Sequence, residues 1–142
     1  MRPFLLTLLI TGSLTTSKAQ DITAMTVPQK AVAQLENIRK QTQDAVVIGL
    51  RKTNLPAETR PILNRILVKS STEFLAITNR KPSREAYLKC LDDNLSRISP
   101  LLPETKDREQ VAEYFQDLMD IVGLESSEGR LTAFVETSVG KP

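Results

Sequence analysis

Apolar residues recur every three to four positions through segment after segment of this chain, and proline, glycine or serine punctuation separates one segment from the next. A repeat near 3.6 residues puts apolar side chains on one face of a helix. The pattern therefore predicts an all-α fold, a small bundle of about four to five helices that bury their faces against one another. The first segment runs from Gln29, just after Pro28, to Lys52, with Leu35, Ile38, Thr42, Ala45 and Gly49 on one face. Residues Ala45 to Leu50 are β-branched enough for a short strand. No second strand-like run follows to pair with it, so helix is the better reading.

Asn54-Leu55-Pro56 ends that segment, and the second helix is expected from Thr59 or Arg60 to Thr78. Pro61 falls in its first turn, where a missing N–H is harmless. Leu63, Leu67, Ser70, Phe74 and Ile77 share its face, flanked by Ile62, Ile66 and Leu75, which predicts the most deeply buried element. After Lys81-Pro82, Ser83 caps a third helix from Arg84 to Ile98 with Tyr87, Leu91, Leu95 and Ile98 inward. Pro100 and Pro103 bound a loop. Asp107, with Gln110 three residues on, suits the N-cap of a fourth helix whose stripe is Val111, Phe115, Leu118, Met119 and Val122. Gly123 stops it, with Leu124 folding back as the apolar contact. Ser126 or Ser127 caps a short last helix holding Leu131, Phe134 and Val135, and Gly140-Lys141-Pro142 is expected to fray.

The start of the chain reads as an export signal. Arg2 precedes a mostly apolar stretch, Phe4 to Leu14, and Ser17-Lys18-Ala19 offers small residues for cleavage after Ala19. The polar run Thr15 to Gln20 breaks the apolar stretch well short of the roughly 18 residues a membrane span needs. Residues 1–19 are thus expected to be a signal peptide and 20–142 a single helical domain, periplasmic or secreted, with no integral membrane segment after cleavage. No cysteine follows the apolar stretch to take a lipid anchor.

Without Arg2 and Lys18 the basic residues equal the 17 acidic ones, so the basic excess belongs to the leader. Neutrality gives no general affinity for nucleic acid or anionic membrane. The charges are unevenly spread, however: Lys30 to Arg97 carries 13 basic and 7 acidic residues, Ile98 to Pro142 carries 4 basic and 9 acidic. The two parts attract each other or a partner.

Catalytic chemistry is poorly provided for. Without histidine there is no imidazole base or metal ligand, and Cys90 is the only cysteine, so an internal disulfide and a paired-thiolate metal site are both excluded. Beside Leu91 in a helical segment, Cys90 reads as apolar filler. Five glycines form no phosphate loop, Asp92-Asp93 lacks the pattern of a calcium-binding hand, and no cofactor is implied. Glu113 and Asp117 could in principle divide acid and base roles as in glycoside hydrolysis. With Glu109 and Asp120 they recur at i, i+4, i+8 and i+11, opposite or oblique to the apolar stripe, which fits a solvated face. Tyr87 and Tyr114 fit amphipathic residues at a core edge.

The stretch Thr105 to Phe134, TKDREQVAEYFQDLMDIVGLESSEGRLTAF, resembles the C-terminal signature of the bacterial family known as domain of unknown function 4844. That signature runs from an acidic-Asp-Arg-Glu helix start through a Tyr-Phe-acidic helix to Met-Asp-Ile-Val-Gly-Leu and a Ser-Ser-acidic-Gly turn. Lys106 replaces the first acidic residue, and Glu136-Thr137-Ser138 is more polar than the family tail. The resemblance implies a small helical fold and no agreed activity.

The leading functional expectation is therefore an exported, monomeric, non-enzymatic helical domain that binds another protein, as an inhibitor or immunity-type module would. Glu109, Glu113, Asp117 and Asp120 are its candidate partner-binding residues. Two alternatives stand beside it, a carboxylate-dependent hydrolase and a carrier of a small apolar ligand within the bundle. Neutralisation of the acidic row by Arg60, Arg65 and Lys69, or by Arg84 and Lys89, is the structural explanation to be weighed against docking.

Overall fold

The computed structural model describes residues 24–44 and 55–137. The chain is all-α, with helices α1 (Ala31–Asp44), α2 (Thr59–Arg80), α3 (Arg84–Ile98), α4 (Thr105–Val122) and α5 (Arg130–Glu136), and a 3-10 turn, Ser99–Leu101, between α3 and α4. Among the described residues there is no β-strand, only an isolated bridge between Ala24 and Ser83, beside which the Met25 N–H donates to the Pro82 carbonyl at 3.1 Å. The expected leader, the strand-or-helix question at residues 45–50 and the C-terminal fraying lie outside the described residues.

Local chemistry explains where the helices begin and end. The α2 helix starts with Pro61 in its first turn and runs through Asn79 to Arg80, two residues past the expected end. It stops where Lys81, preceding Pro82, is forced out of helical geometry at φ −143° and ψ 80°. Ser83 caps α3 as expected, its hydroxyl accepting from the Ala86 N–H at 3.1 Å, with Glu85 in the first turn where the helix dipole favours an anion. The α4 helix corrects the sequence reading. It begins at Thr105, with Glu104 extended before it, so Asp107 is no N-cap and lies buried in the first turn, as Gln110 does in the next. An Asp at this position gains from the dipole as readily as from a cap bond, which is why the pattern misled.

The end of α4 follows the expected motif. Gly123 takes the left-handed conformation at φ 80°, its N–H reaches the Asp120 carbonyl at 3.2 Å, and the Leu124 N–H reaches Met119 at 2.9 Å. This is a Schellman closure, with Leu124 buried as its apolar contact. The expected serine cap of the last helix is corrected: Gly129, in the left-handed conformation, is the N-cap and no side chain caps it, while Ser126 Oγ accepts from the Glu128 N–H at 2.9 Å in the preceding turn and Ser127 Oγ from the Leu131 N–H at 3.2 Å. Glu128 and Gly129 both adopt positive φ, and the chain re-enters a helix at Arg130.

The helices pack in sequence order, α1 on α2 and α2 on α3, while α4 lies against α1 and α2 and α5 bridges α4 and α3. The predicted faces form one core: Leu35 from α1, Leu63, Leu67 and Phe74 from α2, Tyr87, Leu91, Leu95 and Ile98 from α3, and Val111, Phe115, Leu118, Met119 and Val122 from α4. Phe74 and Tyr87 pack as a tilted pair with ring centroids 5.0 Å apart. Ile62 departs from expectation and is 41% exposed. The largest fully buried side chain is charged: Arg108, 1% exposed. Its guanidinium donates to the carbonyls of Leu102 (2.7 Å), Phe134 (2.7 Å) and Ser99 (3.1 Å) and lies 5.3 Å from the centre of the Phe134 ring. One planar fork thus ties α4 to the turn after α3 and to α5.

A candidate docking face on α4

Because the apolar stripe of α4 is committed to the core, the acidic row beyond its first turn faces outward. Glu109, Glu113, Asp117 and Asp120 are all exposed along one side of the helix. Asp120 accepts a bond from Gln116 at 2.9 Å. The Asp117 carboxyl is held above its ordinary value by partial burial first, and then by the negative charges of Asp120 and Glu113.

Among the described residues no ion pair joins Glu109, Asp117 or Asp120 to the basic residues considered for internal neutralisation. Lys69 reaches Glu73 (3.8 Å), Arg84 reaches Glu128 (3.2 Å) and Glu85 (3.7 Å), and Lys89 reaches Asp93 (3.5 Å). The attraction between the two parts of the chain is realised elsewhere, in Arg84 to Glu128 and in Arg130 to Asp92 at 2.8 Å.

A groove of about 360 Å³ opens between α4 and α5, beside the acidic row. Leu131, Val135 and Ala112 form its floor, and Glu113, Gln116, Thr132 and Glu136 stand around it. Sequence reading missed this groove, although Leu131 and Val135 at i and i+4 carried the signal. On the far side of α5 a second groove of similar volume holds Asp92, Ser96, Ser99, Arg130 and Thr137. There Arg130 is bonded to Asp92 and lies 3.7 Å from Glu128, so its charges are paired within the chain.

The other chemical candidates are turned inward. The Tyr87 hydroxyl bonds Thr78 at 2.7 Å, and that of Tyr114 lies 2.9 Å from Thr42 and donates to the Leu67 carbonyl at 3.2 Å. Cys90 is buried, and its thiol donates to Glu73 at 3.3 Å while Asn94 donates to the same oxygen at 2.7 Å. Burial and then the Glu73 charge push the thiol far above its ordinary range, the reverse of an activated nucleophile. Glu113 and Asp117 share the outer side of one helix instead of facing each other across a cleft, as a glycosidase pair would. Among the described residues no three His, Cys, Asp or Glu side chains converge to hold a metal ion, and no helix is long and apolar enough to cross a membrane.

A family model described as "Domain of unknown function (DUF4844)" matches residues 26–139. The chain is also similar to a solved structure, a DUF3571 family protein from Acinetobacter baumannii AYE, at 36% identity and a TM-score of 0.62, over 74% of this chain and 87% of that one. No curated protein matches.

Proposed function

Since the chain belongs to the DUF4844 family, whose description assigns no activity, we propose from its own surface that it is a non-enzymatic binding module which docks a basic partner protein on the acidic face of α4. An inhibitor or immunity-type role is the concrete form of this reading. The observation that carries it is the state of the charges. Glu109, Asp117 and Asp120 stand exposed along one side of α4, while among the described residues Lys69, Arg84 and Lys89 pair with other carboxylates. Like charges along a helix oppose one another by a few tenths of a kcal/mol per pair, so a chain that keeps them forgoes a little stability. A cationic partner offsets that repulsion and gains association rate and orientation from it.

The test is co-purification from the native envelope with the wild-type protein and with an Asp117→Asn, Asp120→Asn variant. A stoichiometric protein partner held by the wild type in low salt and lost from the variant supports the reading. Equal retention by both, or glycoside hydrolysis by the purified wild type, contradicts it.

We also propose that the protein is exported and acts in the periplasm or outside the cell. The leader pattern of residues 1–19 supports this, and the family match begins beyond it at residue 26. A mature N-terminus at Gln20 in protein recovered from a bacterial periplasm or medium is expected. Intact Met1 in protein confined to the cytoplasm would contradict it.

A further inference from the structure

The short helix α5 is held to the bundle by contacts of two kinds. Of its seven residues only Leu131 and Phe134 are buried. A helix shorter than about 12 residues is marginal on its own, and two buried side chains offset only part of the entropy lost when seven residues are ordered. The start of α5 is held by charge instead. Arg84, at the start of α3, lies 3.2 Å from Glu128, Glu128 lies 3.7 Å from Arg130, and Arg130 lies 2.8 Å from Asp92, about two turns further along α3. These four side chains form one chain of ion pairs, open enough to solvent for salt to screen it. Glu128 is also the one non-glycine residue with positive φ among the described residues, at 56°, and Gly129 beside it stands at 86°. A residue with a Cβ is strained there, and such a conformation persists where its surroundings over-determine it. At Glu128 the two arginines do so, together with the Ser126 hydroxyl that accepts its N–H at 2.9 Å. Leaving that geometry relieves the strain, so the Glu128–Gly129 junction is where the chain yields first.

We infer that α5 is a flap hinged at Glu128–Gly129, which opens as a unit while the rest of the bundle stays folded, and that the chain Arg84–Glu128–Arg130–Asp92 is the latch that keeps it shut. Opening turns Leu131 and Phe134 to solvent and uncovers Arg108, whose guanidinium donates to the Phe134 carbonyl at 2.7 Å and lies 5.3 Å from the centre of its ring. The latch adds to that bond and to the two buried side chains, and it is the part of the hold that ionic strength controls. Ionic strength thereby sets how often a buried cation and an apolar helix face are presented. The device is separate from the acidic row on α4 and stands or falls without it.

The test is amide hydrogen exchange of the whole protein at one pH, in about 0.01 M and about 1 M salt, between which the screening length falls from about 30 Å to about 3 Å. The N–H groups of Ala133 and Thr137, bonded in the fold to the carbonyls of Gly129 and Ala133, report on the flap. Those of Phe115 and Leu118 in the middle of α4 report on global unfolding. The flap amides are expected to exchange well ahead of the α4 amides, and roughly fivefold to tenfold faster in high salt than in low, with no matching change in α4. A variant carrying both Glu128→Gln and Asp92→Asn keeps the side-chain sizes and removes both carboxylates of the latch. Its flap is expected to exchange in low salt as fast as the wild type does in high salt, and to respond no further. Exchange of α5 and α4 at one common rate overturns the inference, since α5 then opens only with the whole fold. Separate opening that is equally fast in both salts and in the variant removes the latch and overturns it too. So does an α5 without protection in low salt, because nothing then holds it shut.

Discussion

Arg108 shows at the residue scale how a signature can look functional and be structural. A buried guanidinium with no role in a site would be hard to explain, yet each of its three bonds goes to a carbonyl near the end of a helix or turn, that of Ser99 being shared with the Leu102 N–H at 3.2 Å. Replacing it by Met removes the charged donor that all three carbonyls share, and a loss of about 3 kcal/mol or more in urea unfolding is expected. Arg108→Lys should recover only part, because an ammonium lacks the planar fork. Sequence alone could not reveal this, since the carbonyls belong to residues 99, 102 and 134 and backbone acceptors leave no mark on composition. Cys90 makes the complementary case, because its reading as filler needed only the neighbouring helical pattern. Its thiol stays neutral in the fold while an unfolded thiol ionises above about pH 8.5. The unfolded state then binds fewer protons than the native one, so stability falls as pH rises past that point. Cys90→Ser is expected to leave neutral-pH stability nearly unchanged and to flatten this alkaline decline before the tyrosines titrate. A decline equally steep in the variant would show that the thiol is not its source.

At the scale of the element, punctuation was legible wherever a single residue type has a single job. Ser83 before α3 and Gly123 after α4 fall where the sequence puts them, because an extended hydroxyl residue and a left-handed glycine have few substitutes. Gly123→Ala forces a Cβ into the left-handed conformation with only ordinary contact to Pro28, so a loss of about 1–2 kcal/mol from backbone strain alone is expected in thermal or urea unfolding. The start of α4 was not legible, since Asp107 serves equally well as a cap or as a first-turn anion. The apolar faces were read well because burial on a helix follows period: Phe74 and Phe115 lie where the stripes put them, both fully buried. Phe115→Ala should therefore destabilise by about 3–5 kcal/mol, and a change below about 1 kcal/mol would contradict the packing described. What period cannot show is the space between two helices, and the groove on α4 and α5 emerged only once their packing was known.

Over the whole molecule, the sequence showed that acidic residues collect after Ile98, and the structure shows two ion pairs that join the two parts of the chain among the described residues. Arg84 and Arg130 make those links, at Glu128 and Asp92, well away from the outer side of α4. The acidic row is thus a property of the surface, and its meaning turns on whether anything inside the molecule compensates it. Asp117 decides this most directly. With its carboxyl raised by burial and by two neighbouring carboxylates, the native state binds its proton more tightly than the unfolded chain does. Its contribution to stability therefore falls as pH rises through the carboxylate range, opposite to the behaviour of a salt-bridged Asp. The measurement is the urea midpoint of Asp117→Asn against wild type, at low salt, at pH 7 and near pH 3. The variant is expected to equal or exceed the wild type at pH 7, with any advantage vanishing near pH 3 where both side chains are neutral. A variant less stable at pH 7, with the deficit disappearing in acid, would mean that Asp117 is paired within the fold, and the docking face would lose its basis.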